Sequence, residues 1–253
     1  MSEFAPLTEL FTPELKITST ASNSNTVSNP DPKDQAELIT EVYTDLGIFN
    51  SATAEQAPEL LAPQIEALYL ANPDTALKPF LQINLTPAFG LITLLHNFDK
   101  IQFDNPSTWI SKKIWDQYDL SALNSRRTYG HKEPTPGLVR GHVLSPAEND
   151  VSEPGLVHTN KTTTMQRQLA VGQTLLNITD YIAIQAMSRE TDKRLLGPQT
   201  VTSFPQLPEN TLDGDVFCVG NACWNDGRLY LGGSDEHAFR FVGVRVSLGI
   251  DKA

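Results

Sequence analysis

The stretch FCVGNACWNDGRLYLGG, Phe217 to Gly233, gathers both cysteines of the chain, one of its three tryptophans and an Asn-Asp-Gly turn. Cys218 and Cys223 stand five positions apart, a spacing open to a disulfide, a two-ligand soft-metal site or two packed thiols. A structural zinc needs four ligands, and the sequence offers no second Cys or His pair at matching spacing. The five histidines are His96, His131, His142, His158 and His237. His96 sits in an apolar helical pattern, where a satisfied or surface histidine is expected. His131, His142 and His158 share an irregular segment, and none of them is named as a catalytic base. There is no G-x-S-x-G elbow, H-E-x-x-H, Walker A or G-x-G-x-x-G opening a helix, so the familiar hydrolase, zinc-protease and nucleotide signatures are missing. No cofactor is expected.

Around that stretch the pattern reads as strands. Val216–Val219 is a short apolar run, Asn225-Asp226-Gly227 is a hairpin signal because an Asp-Gly pair tolerates positive φ, and Arg228–Leu231 returns. Gly232-Gly233-Ser234-Asp235 supplies another turn. From Phe239 to Leu248 the apolar parity slips at Val242-Gly243, which predicts a bulge in a last strand. Side chains suited to contact with a ligand crowd this region: Asn221, Trp224, Asn225, Asp226, Arg228 and Tyr230, then Asp235, Glu236 and His237 on the next turn. The alternative is that Trp224 and Tyr230 belong to the core and the charges form a solvated rim; alternation alone does not decide which side of the hairpin faces out.

The elements that position this region begin with a tether. Thr18–Asp34 is rich in Ser, Thr, Asn and Pro, with little to bury, and follows a short arm bearing Phe4, Leu7, Leu10, Phe11 and Leu15. Helices are expected from an Asp34 cap through Leu46 with Gly47 as the C-terminal glycine, from Pro63, from Thr86-Pro87 and from Ser107. The last of these would carry Ile110, Ile114, Trp115 and Tyr118, making residues 35 to about 123 helical. Residues 128–164 are rich in Gly, Pro, His and Thr, with brief strands at Leu138-Val139 and Val143-Leu144. A further helix spans about Thr179 to Leu196 before Gly197-Pro198.

With 253 residues and a formal charge of −11, the chain has ample material for a core and a surface that repels nucleic-acid phosphate and anionic membrane at long range. The N-terminus has neither a basic region nor an apolar one of signal-peptide type, and no apolar run is long enough to span a bilayer, so a cytoplasmic or particle-associated protein is the default expectation.

Val216, Gly220, Trp224, the hairpin and the terminal Gly243-Val244-Arg245-Val246 together resemble the closing strands of the C-type-lectin-like module shared by formylglycine-generating enzymes and the variable proteins of diversity-generating retroelements. The family's glycine-glycine-serine-tryptophan stretch is altered here to Gly220-Asn221-Ala222-Cys223-Trp224. Its terminal Gly-Phe-Arg appears as Gly243-Val244-Arg245, and the match covers about thirty residues. The resemblance implies an α+β fold with short antiparallel strands in the C-terminal half, giving an arm and tether over 1–34, a helical region over 35–125 and a lectin-like domain over 126–253. It also implies recognition of a protein or surface ligand through C-terminal loops, as in a bacterial or phage-derived product. Two alternatives stand beside it: a copper-dependent oxidase of the formylglycine-generating type, with Cys218 and Cys223 as soft Cu(I) ligands, and a structural protein that assembles, or forms a homo-oligomer, through its N-terminal arm.

Overall fold

The computed structural model describes residues 29–85, 90–101, 109–110, 135–144, 173–192, 201–204, 219–225, 228–234, 242–243 and 245–250. The N-terminal arm lies outside these residues. So do Thr86-Pro87, Ser107, Ile114, Trp115, Tyr118, His131, His158 and Gly197-Pro198. The protein is α+β.

Helix α1, Pro32–Asp45, starts two residues before the expected cap, because Asp31 accepts the Lys33 amide at 2.7 Å and Pro32 takes the first helical position. Its far end matches the sequence reading: Gly47 adopts φ 74°, and the Ile48 amide turns back to the Tyr43 carbonyl at 2.8 Å. Helix α2, Ser51–Ala71, begins twelve residues ahead of the expected Pro63. Asn50 caps it by accepting the Thr53 amide at 2.8 Å, and the helix runs through both Pro58 and Pro63. Each proline removes one backbone donor, but Ala57, Leu61, Ile65 and Leu68 bury one continuous stripe against the core, and that burial prevails.

Strand β1, Leu77–Asn84, corrects the expectation of an all-helical first half. Leu77, Pro79, Leu81 and Ile83 are buried on one face, while the other carries half-buried Lys78 and Gln82, exposed Asn84 and one buried residue, Phe80; Pro79 argues against a strand unless the strand lies at an edge. That is where it lies. After helix α3, Leu91–Ile101, residues Trp109–Ile110 form a short strand, β2, where the helix carrying Ile110 was expected. Strand β3, Thr135–Val143, merges the two brief strands expected there, and β4, Gln173–Leu175, leads into helix α4, Ile178–Asp192. Every residue of α4 from Ile178 to Arg189 is buried. The remaining strands are β5, Val201–Phe204; β6, Val219–Asn225; β7, Arg228–Ser234; β8, Val242–Gly243; and β9, Val246–Leu248.

Two sheets result, in the orders β1-β3-β9-β4 and β2-β7-β6-β5-β8. The first joins a strand from before residue 125 to strands from after it, and one apolar cluster includes Leu68 and Phe80 as well as Ala222, Leu229 and Leu231. The bulge expected at Val242-Gly243 is instead a change of sheet. Val242–Gly243 runs parallel to Val201–Thr202, whereas Val246–Leu248 pairs antiparallel with both β3 and β4. Arg245 sits at the crossing and ties the two: its carbonyl accepts the Leu176 amide at 2.9 Å, and its Nε donates to Thr202 Oγ1 at 3.0 Å. The parity slip in the sequence falls where one segment passes from one sheet to the other.

β1 is the edge of its sheet, and its outer groups are satisfied by side chains. Asn29 Oδ1 accepts the Leu77 amide at 3.2 Å. The Tyr43 hydroxyl accepts the Leu81 amide at 3.0 Å and donates to the Leu81 carbonyl. The Thr179 hydroxyl, whose single proton goes chiefly to Asn177 Oδ1 at 2.6 Å, also lies 3.3 Å from the Ile83 carbonyl, and Asp180 Oδ1 receives the Ile83 amide at 3.5 Å. Pro79, in the same alternating set, has no N–H to satisfy. An edge treated in this way offers no template for another strand.

Candidate functional site

The β6–β7 hairpin carries most of the residues singled out in the sequence, and its register sorts them by face. Ala222 opposes Leu231 and Trp224 opposes Leu229, while Asn221 opposes Gly232, Cys223 opposes Tyr230 and Asn225 opposes Arg228. Directly paired residues share a face, and successive residues alternate. Ala222, Leu229, Leu231 and, on β5, Thr202 are buried, which defines the inner face. Trp224 occupies a position on that inner face. Asn221, Asn225, Arg228 and Tyr230 occupy positions on the other, and Tyr230 itself is half-buried. The two aromatic residues left undecided by the sequence thus fall on opposite sides of the hairpin.

The parallel pairing of β2 adds a residue that the sequence reading did not select. Trp109 lies in register with Tyr230, so one row across the sheet runs Trp109, Tyr230, Cys223. Arg228 and Asn225 form the next paired positions along the same face, at the turn end, and Ser203 of β5 pairs with Asn221 at the other. Two aromatic positions side by side, with Arg228, Asn225 and Asn221 at positions on the same face, bring together residue types suited to stacking with directional hydrogen bonds. The signal for Trp109 in the sequence is a tryptophan beside a β-branched residue, which is too short a run to announce a strand. Asp226, Asp235, Glu236 and His237 lie outside the described residues, as does Cys218.

A second concentration of polar groups lies inside the protein, between the first sheet and α4. Lys78, Arg140 and His142 project from the sheet, with Lys78 directly opposite His142. Lys78 Nζ donates to Ser188 Oγ on α4 at 2.9 Å. Arg140 donates through Nε to Ser247 Oγ at 2.9 Å and through Nη2 to the Ser247 carbonyl at 3.2 Å. His142 is 1% exposed, with Nδ1 3.3 Å from the Val246 carbonyl. At the start of α4, Asn177 Oδ1 accepts the Asp180 amide at 2.8 Å and the Thr179 hydroxyl at 2.6 Å, which fixes the helix cap. Burial raises the Asp180 carboxyl to about 7, against the opposing pull of the Ile83 and Asn177 hydrogen bonds, the Arg140 charge and the Gln82 side chain. Lys78, Thr179 and Asp180 fasten helix to sheet, while Arg140 and His142 join β3 to β9 within the sheet. His142, placed by the sequence in an irregular segment, belongs to β3, and His96 is exposed on α3.

Among the described residues, no group of three or more His, Cys, Asp or Glu side chains is arranged to hold a metal ion, and no helix is long and apolar enough to cross a membrane. No protein-family model matches the chain, and comparison with curated proteins and with solved structures finds no match. The functional reading rests on the geometry of the second sheet.

Proposed function

We propose that the protein is a non-enzymatic recognition module of C-type-lectin-like character, which binds a protein or surface ligand through the outer face and turn end of the β6–β7 hairpin. The observation that carries this reading is the register: Trp109 beside Tyr230, with Arg228, Asn225 and Asn221, on the face opposite buried Ala222, Leu229 and Leu231. The inner face supplies a fixed platform. The outer one offers aromatic area at low conformational cost and amide and guanidinium donors around it. The formal charge of −11 makes a cationic or neutral ligand surface the natural counterpart.

The test is direct. Wild-type protein and the Trp109→Ala, Arg228→Ala and Tyr230→Ala variants are compared on arrayed glycans and immobilised peptides, with circular dichroism as the check on folding. Each outer-face variant is expected to weaken binding by roughly tenfold or more while leaving the fold intact. Trp224→Ala, at an inner-face position, should instead lower the unfolding temperature. Full retention of binding by the three outer-face variants would remove the hairpin face from the reading.

A further inference from the structure

We propose that Asp180 is a proton-operated latch: its neutral carboxyl seats the first turn of α4 on the irregular end of β1, and its ionisation releases that turn. The geometry begins with a bulge. Leu81 pairs with Val139, but Ile83 pairs with Pro136, so β3 carries one more residue than β1 across this interval, and Gly137 and Leu138 together face Gln82. A Cβ on Gly137 would lie 3.2 Å from Gln82 Cβ, which is why the bulge holds a glycine. Beyond it, Ile83 directs both its amide and its carbonyl to the first turn of α4 rather than to a strand, the amide to Asp180 and the carbonyl to Thr179. Two side chains adjacent in sequence thus meet the Ile83 backbone, and Gln82 adds a third contact to Asp180.

Asp180 is 2% exposed, so a charge on it has no water to meet. The groups facing it come from each element packed there. Tyr43 on α1 has its hydroxyl committed to Leu81, and its own pKa is pushed well up by burial first and by Asp180 second. Arg140 on β3 attracts the carboxylate from a distance while directing two of its nitrogens to Ser247. Gln82 on β1 donates to it, and Asn177 caps the turn from which it projects. On α3, which also packs against α4, His96 and Lys100 are exposed and Asp99 is half-buried. Burial outweighs these favourable partners and leaves the acid form populated up to about pH 7.

The direction of the pH effect follows. The carboxyl titrates near 3.8 when solvated and near 7 when seated. The seated state therefore holds its proton more tightly, and its advantage is complete below the solvated value and is lost as the pH rises through the seated one. Lifting the turn out rehydrates the carboxylate, and the amide and carbonyl of Ile83 then lose their partners.

Hydrogen exchange, corrected for the intrinsic rate, reads this at the Ile83 amide and the first turn of α4. Between about pH 5.5 and about pH 8.5, protection there is expected to fall roughly tenfold to a hundredfold in the wild type. In Asp180→Asn, which keeps an acceptor in place, it should be flat with pH. Parallel profiles in the two proteins would overturn the proposal. A carbon-detected titration of the Asp180 carboxyl in the wild type gives the answer independently of how the variant folds. A midpoint near 7 is expected, and one in the ordinary carboxylate range would overturn the latch.

Discussion

Tyr43→Phe is expected to destabilise the protein by about 3 kcal/mol, measured as a lower urea midpoint with an unchanged denaturant slope. The loss does not come from volume, since the ring stays. It comes from the Leu81 backbone, whose amide and carbonyl both use the Tyr43 hydroxyl at the outer edge of β1. Tyr43 is completely buried and Leu81 nearly so, and no water reaches the two groups once the hydroxyl is gone. Each orphaned backbone group costs on the order of 1–3 kcal/mol, which is why one oxygen atom has so large an effect. Tyr69→Phe is the matched control. Its hydroxyl is buried and has no hydrogen-bond partner among the described residues, so its removal should be neutral or slightly stabilising. Equal losses in the two variants would show that the edge of β1 is not sealed by Tyr43.

Gly141→Val carries an expected loss of about 3 kcal/mol or more, with soluble expression falling accordingly. Gly141 lies in the middle of β3, opposite Pro79 on one side and Leu248 on the other. A Cβ built there would stand 2.8 Å from Leu77 Cδ1, 3.0 Å from Leu77 Cβ and 3.1 Å from Leu68 Cδ2. Leu77 and Leu68 are themselves buried, so they have little space into which to retreat. Alanine already requires Leu77 Cδ1 to move, and the contact with Leu77 Cβ, which no rotamer change relieves, asks for a small backbone shift as well. Valine, with two further methyl groups, must separate α2 from the sheet or break the β1–β3 ladder. Paired measurements on Gly141→Ala and Gly141→Val should show a steep increase from the first to the second. A valine variant as stable as the wild type would mean that α2 does not press on this face.

How far the sequence could be read depended on where each signal was stored. The α1 terminus at Gly47 was legible because a positive-φ glycine after an apolar stripe is a local device, and the hairpin at Asn225-Asp226-Gly227 was legible for the same reason. Strand β1 was not. Its alternation, with Leu77, Leu81 and Ile83 on one face and Lys78, Gln82 and Asn84 on the other, is interrupted by Phe80 and by a proline, and only its place at a sealed edge explains Pro79. The same holds for Trp109–Ile110, two residues whose strand character comes entirely from the β7 neighbour they lie beside.

The candidate site divides along the same line. Composition placed aromatic, amide and charged side chains together between Asn221 and His237, but the side of the hairpin on which Trp224 and Tyr230 fall required the register of β6 with β7. That register depends on which face is covered by the rest of the molecule, and a run of seven residues does not encode what lies above it. The slip at Val242-Gly243 shows the limit from the other side. The sequence signals a break there, and it could not record that the chain moves from one sheet to another, because pairing partners about forty to one hundred residues away decide it. Local conformation, charge and the α+β character were fixed by residue type and spacing. Which faces meet, which edge is closed and which aromatic positions share a face were decided by packing alone, since burial is a property of the assembled core and not of any segment in it.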